Sequence, residues 1–297
     1  MFVAAAAVTG CASDPVETEP TPCVGDPELC LDVSVKGTGS QALIIIGDGP
    51  GWSRDYLVPV QTALASDQLT VAIFDHRGTG RSTTTDPPQY TMVDYVEDVE
   101  RVRVSLGVDT VHIMGHGFGA SVAWGYLATY PSQVQSIINA GGYSPTSASY
   151  FSAQALLDER VAFLQMSNII PAIPDPVNDD CTPGLQIRLP AYMHQAEDPI
   201  SAEMKQITCV ASVQADTVNS VYNVGYNYNN VVAGFTGPAL VIFGKADPYS
   251  ADLGQATVSA MAGTTAQFEV LPSAGHFPWV EKPGEFLPKV KAFLGVP

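Results

Sequence analysis

Four short stretches carry residues able to do chemistry. Asp247 in FGKADPYS (243–250) and His276 in PSAGHFPWVEKPGEF (272–286) follow two late apolar runs. An aspartate that holds a histidine in one tautomer makes that histidine a usable general base. IIIGDGPGW (44–52) is a glycine-rich loop behind an apolar run, and backbone N–H groups turned toward one point build an oxyanion hole. HIMGHGFGASVAWGYL (112–127) reads as a strand turning sharply into a helix, with Gly115-His116-Gly117-Phe118-Gly119 at the turn. A base, a hole and a sharp turn make the parts of acyl transfer. The attacking group is missing, because the centre of the turn, Gly117, has no side chain.

The elements that must position these residues alternate. ALIIIG (42–47), TVAIFD (70–75), TVHIMG (110–115), VQSIINAGG (134–142), ALVIFG (239–244) and AQFEVLP (266–272) are short apolar runs ending in turns, as buried parallel strands do. Helical spacing between them, as in Met92, Val93, Val96, Val99 and Val102 before Gly107, predicts an α/β domain: a mostly parallel sheet with helices on both faces. The stretch 143–236 breaks this rhythm with several helical segments, clustered prolines and the Tyr/Asn-rich VYNVGYNYNNVVAGF, and reads as a helical cap or lid insertion. The core is expected over 33–142 and 237–297.

On these residues the chain resembles α/β-hydrolase-fold serine hydrolases, most of all the proline iminopeptidase group, with its HGGPG loop, DQRGxGxS motif, serine elbow and late Asp and His. The resemblance covers roughly 40–142 and 237–296. It implies that Asp247 and His276 are the triad acid and base, and that the amides of Gly49 and Phe118 form the oxyanion hole. It also implies that Asp75, Arg77, Gly78 and Ser82 brace the loops near the site. Gly47 stands where the group has His, and Gly117 where it has the nucleophilic serine. His116 is expected to support or pack, Ser121 lies one turn too far along to replace the nucleophile, and His76, His112 and His194 are read as ordinary structural histidines. GHGFGA also fits a dinucleotide fingerprint, but SIINAGG lacks the acidic residue that would hold a ribose.

Three readings of Gly117 follow: a hydrolase scaffold crippled by natural loss or an engineered Ser→Gly change, a hydrolase or lyase in which His276 activates water, or a binding protein using the capped pocket. Gly117→Ser is expected to restore a hydroxyl near His276 and raise ester or aminoacyl-arylamide turnover at least about a hundredfold. The ligand expected is small, apolar or aromatic, and ester-, amide- or peptide-like. No cofactor or metal is expected, and the protein is expected to be a monomer.

A net charge of −17 excludes a phosphate-binding surface for nucleic acid and a polybasic membrane contact. VTGC (8–11) resembles a lipobox, so 1–11 reads as a lipoprotein-type signal segment, Cys11 as a lipid anchor, and the bacterial cell envelope as the location. The Pro- and acid-rich 12–32 reads as an extended tether. The four remaining cysteines suit two disulfides, with Cys23–Cys30 and Cys181–Cys209 favoured as local pairs.

Overall fold

The computed structural model describes residues 23–26 and 29–297. The expected lipid anchor at Cys11 lies outside them. Among the described residues eight strands form one sheet: β1 (Cys23–Asp26), β2 (Leu29–Lys36), β3 (Gln41–Ile46), β4 (Leu69–Phe74), β5 (Val111–His116), β6 (Val134–Ala140), β7 (Ala239–Gly244) and β8 (Gln267–Leu271). Their order is β1-β2-β4-β3-β5-β6-β7-β8, with β1 and β2 antiparallel and β4 through β8 parallel. β5 and β7 are buried along their whole length, which is why both read as unbroken apolar runs.

Helices α1 (Val58–Leu64), α2 (Met92–Ser105) and α3 (Phe118–Thr129) connect the first strands. The insertion carries α4 (Ala148–Met166), α5 (Thr182–Arg188), α6 (Ala211–Thr217) and α7 (Asn229–Gly234). The chain closes through α8 (Ala251–Ala260), α9 (Pro278–Glu281) and α10 (Pro283–Leu294). α1 packs with α10, α2 packs with α3, and helices cover both faces of the sheet. α2 starts on a capping box, in which Thr91 and Asp94 satisfy each other's backbone N–H groups. Val96, Val99 and Val102 bury its apolar stripe, whereas Val93 is exposed.

The tether expected over 12–32 is corrected from Cys23 onward. Leu29, Leu31 and Val33 are buried on β2, and Cys23 and Cys30 form a disulfide across the β1–β2 pair. The acids and prolines around them mask a short apolar alternation that the sheet uses. Cys181 and Cys209 form the second disulfide, within the 143–236 insertion, so the two favoured local pairings are both present.

Candidate active site

Parallel strands present their C-terminal ends at one edge of a sheet, and the loops that follow them meet there. Ile46 pairs with Gly115, His116 with Ala140, and Gly244 with Leu271, so the loops after β3, β5, β7 and β8 converge. They bring Asp48, Gly117, Asp247 and His276 together.

The turn after β5 is an elbow. Gly117 takes φ 52° and ψ −115°, a strained combination that glycine adopts at little cost. Gly119 follows because a Cβ there would stand 2.1 Å from the Ile46 carbonyl oxygen. The elbow therefore matches the sequence reading in shape.

His276 is buried, with Nδ1 3.0 Å from Asp247 Oδ2. The Asp247–His276 pair expected from the sequence is thus assembled. The Tyr249 amide donates to Asp247 Oδ1 at 2.8 Å, and the His276 amide donates to the Tyr192 carbonyl at 2.7 Å. Glu281 fixes the same loop by accepting from the Gly275 amide at 2.6 Å and the His194 amide at 2.5 Å.

The other ring nitrogen meets a group that sequence reasoning missed. His276 Nε2 lies 3.0 Å from Asp48 Oδ2. Asp48 Oδ1 accepts the Phe118 amide at 2.6 Å, and the Asp48 amide donates to Tyr56 Oη at 2.5 Å. The carboxylate fills the space an elbow side chain would need: a Cβ on residue 117 would stand 1.8 Å from Asp48 Oδ1. The signal was present in GDGPG, where the resembling group has HGGPG. Asp48 stands where that loop motif has a glycine.

Three expectations change as a result. The Phe118 amide, expected to point at a substrate oxyanion, is engaged by Asp48. Gly49 lines a neighbouring cavity, one residue beyond the carboxylate. The space assigned to an activated water, or to the hydroxyl of a Gly117→Ser chain, is occupied.

Burial works against the charge on Asp48. The hydrogen bond and charge of His276, with smaller help from His116 and the Phe118 amide, overcome it and hold the carboxyl below its ordinary range. Burial likewise pulls His276 down, but Asp247 and Asp48 on its two sides raise it to about 9. His276 is therefore an imidazolium between two carboxylates near neutral pH. His116 is pushed down to about 3 by burial and the neighbouring His276 charge, so it is neutral. Its Nδ1 meets Tyr56 Oη at 3.1 Å and its Nε2 the His276 carbonyl at 2.9 Å, the supporting role expected of it. Asp48, His116 and His276 bring possible ligand atoms within 4.8 Å of one another, but both nitrogens of each histidine already have protein partners.

The bracing motif behaves as expected. Arg77 makes two bonds of 2.7 Å to Asp98, Asp75 accepts the Arg54 and Arg81 amides, and Ser82 Oγ donates to the Asp75 carbonyl. His76 contacts the Gly47 carbonyl, His112 bonds Ser136 and Gln41, and Ser121 bonds Tyr222 and Tyr226. Beside Gly49 opens a cavity of about 410 Å³ whose walls include Trp52, Tyr150, Tyr192, Tyr249 and the Cys181–Cys209 disulfide. Tyr222 of the Tyr/Asn-rich stretch stacks on Tyr150 at 3.9 Å between ring centres.

Comparison with known proteins agrees with this architecture. The chain is 35% identical over 119 residues to the proline iminopeptidase of Thermoplasma volcanium, covering 39% of this chain and 40% of that protein. It is 27% identical over 117 residues to a putative carbamate hydrolase RutD of Caulobacter segnis, covering 39% and 43%. The matches thus span about two fifths of the length of these curated relatives. Among solved structures, a proline iminopeptidase of Mycobacterium smegmatis superposes with a TM-score of 0.67 at 20% identity, over 92% of this chain and 97% of that one. Est816, described as an N-acyl homoserine lactone degrading enzyme, superposes with a TM-score of 0.66 at 18% identity, over 92% and 100%. Residues 41–283 match the family described as alpha/beta hydrolase fold, and the chain belongs to that family.

Proposed function

We infer that this chain is built on the scaffold of a serine ester or amide hydrolase, aminopeptidase-like in its loops, on which the serine route is closed. Turnover of simple esters and aminoacyl amides is then weak or nil. One observation carries the reading: the Asp48 carboxylate occupies both the space of an elbow side chain and the hydrogen bond of the elbow amide. An attacking hydroxyl and a developing oxyanion need those two places at once. The paired Asp247 and His276 and the names of the similar proteins support the ancestry.

The 143–236 insertion serves as a lid over a cavity whose walls mix Trp52, Tyr150, Tyr192 and Tyr249 with Gln154, Asp175, Arg188 and Gln214, which suits a small ligand with an apolar or aromatic body and a polar ester- or amide-like end. A second reading, a binding protein using this cavity without turnover, is favoured by the complete burial of Asp48 and His276. The two disulfides are compatible with an oxidising compartment. We propose export to the bacterial envelope with a lipid anchor at Cys11; intact mass of the native protein checks it.

The test is a fluorophosphonate label together with a panel of p-nitrophenyl esters and aminoacyl-arylamides. The chain as it stands is expected to take no label and to show no turnover above its His276→Ala variant. Asp48→Gly/Gly117→Ser is expected to label at residue 117 and to gain at least about a hundredfold, a conservative part of what a triad serine supplies. Rapid turnover with a labelled serine in the unchanged chain overturns the reading.

A further inference from the structure

The cavity beside Gly49 holds polar groups that the fold itself leaves unused. We propose that it is a binding site for a small carboxylate with an aromatic body, in which the Arg188 guanidinium anchors the carboxylate. The proposal rests on the reading of the 143–236 insertion as a lid over a ligand cavity, and adds the charge and the orientation of the ligand.

Arg188 ends α5 and is the one cation lining the cavity among the described residues. The buried guanidiniums elsewhere are consumed by the fold: Arg54 bonds Asp32, and Arg77 bonds Asp98. Arg188 makes no hydrogen bond to the protein among the described residues, and its ion partner Asp158 is 4.0 Å away and 65% exposed. A half-covered planar fork of donors matches a carboxylate, which accepts two parallel N–H bonds. Tyr150 on α4 lines the same cavity, and its hydroxyl also lacks a protein partner among the described residues. Burial, with the charges of Asp48 and Asp158, pushes Tyr150 up to about 12, so the hydroxyl keeps its proton and can donate. Arg188 acts against that shift at both Tyr150 and Tyr192, which puts its charge beside both side chains. Asp175 is the one acid in the cavity wall among the described residues, and it is exposed. Asp158 and Asp175 make a second negative charge on the ligand costly, which favours a carboxylate over a phosphate monoester.

The other end of the cavity is aromatic and fixed. Cys181, at the start of α5, is joined to Cys209, and Cys209 pairs with Trp52. The Ser53 amide donates to the Thr208 carbonyl at 3.0 Å and the Val210 amide to the Gly51 carbonyl at 2.9 Å, which holds that contact. α5 thus runs from the Trp52 wall to Arg188, about 10 Å at the usual helical rise. Trp52 and Tyr192 meet edge to face at 5.6 Å and offer a ligand ring two aromatic walls. Backbone bonds and a disulfide fix these walls before a ligand arrives, which lowers the ordering cost of binding. Tyr192 and Tyr249 line the cavity and also pack on His276, at 5.3 and 4.5 Å between ring centres. A layer of rings therefore separates the ligand from the buried Asp48 and His276, so the ligand is held beside the charged elbow and is not processed by it.

The test is calorimetric titration of the full chain at pH 7 with 3-phenylpropanoate, N-benzoylglycinate and indole-3-acetate, each paired with its uncharged primary amide. At least one acid is expected to bind at least about tenfold more tightly than its amide, the scale of a charge-assisted pair of bonds. Arg188→Met, checked for folding by near-UV circular dichroism, is expected to remove that preference and leave the affinity for the amide unchanged. Arg188→Lys keeps the charge without the fork and is expected to fall between the two. Equal affinity for acid and amide, a preference that survives Arg188→Met, or tighter binding of phenyl phosphate than of every acid overturns the proposal and leaves the ligand cavity standing. No binding of any acid or amide at millimolar concentration overturns the cavity reading beneath it as well.

Discussion

Gly117 and Asp48 exclude each other's alternatives: a Cβ on residue 117 would stand 1.8 Å from Asp48 Oδ1 and 2.0 Å from Asp48 Cγ. Both atoms belong to a carboxylate fixed by the Phe118 amide and by His276. Neither can retreat without leaving a buried charge unpaired. Gly117→Ser alone is therefore expected to destabilise the fold by at least about 1–3 kcal/mol, the usual cost of overpacking a core. Asp48→Gly/Gly117→Ser is expected to be more stable than Gly117→Ser alone. Urea melts of the four chains of this double-mutant cycle measure the coupling, and additive single effects would show that the two positions are independent.

The parallel strands, the elbow and the Asp247–His276 pair were legible because each is a local pattern: an apolar run, a glycine turn, an acid and a base in fixed chain order. Asp48 was not, because its role depends on a side chain crossing to residue 117 on another loop. A glycine-rich loop is ordinarily read for its backbone donors, and the lone acid in GDGPG gave no sign of pointing inward. β2 was missed for a related reason. Leu29, Leu31 and Val33 alternate toward the core, but prolines and acids upstream dominate the composition of that stretch.

The imidazolium between two carboxylates sets an alkaline limit to stability. His276 is raised from an ordinary 6.5 to about 9 in the folded chain. A raised folded value stabilises fully below the unfolded value and is lost as pH rises through the folded one. Melting temperature is therefore expected to fall between about pH 6.5 and 9 beyond the decline seen in a folded His276→Gln chain. Identical alkaline profiles for the two would contradict the charged ring. Asp48 has the opposite sign. Its lowered value contributes stability above its ordinary 3.8 that is lost as pH falls further.

The Cys181–Cys209 bridge closes a loop with a sequence separation of 28 and lines the cavity wall. Replacing both cysteines with serine is expected to cost about 3.5 kcal/mol, the scale for a loop of this length. Because the bridge lies within the insertion, local protection is expected to fall more over 170–215 than in β3 to β7. Hydrogen exchange read by mass spectrometry checks this. Equal loss of protection across the sheet would show that the bridge holds the whole domain rather than the insertion.

Asp48→Asn separates the charge of this residue from its shape. The amide fits the same volume beside Gly117, and its oxygen can still accept from the Phe118 N–H. What it removes is one of the two anions that hold the His276 proton. The side-chain NH₂ then faces Nε2 as a donor, which favours the neutral ring. His276 is expected to titrate at least one pH unit lower than in the unchanged chain, measured by imidazole nitrogen chemical shifts. Stability at pH 7 is expected to drop by about 3 kcal/mol, the scale for removing one member of a buried ion pair. A variant that stays folded with an unshifted His276 titration would show that Asp247 alone sustains the imidazolium. Asp48 would then fill space at the elbow without governing the proton.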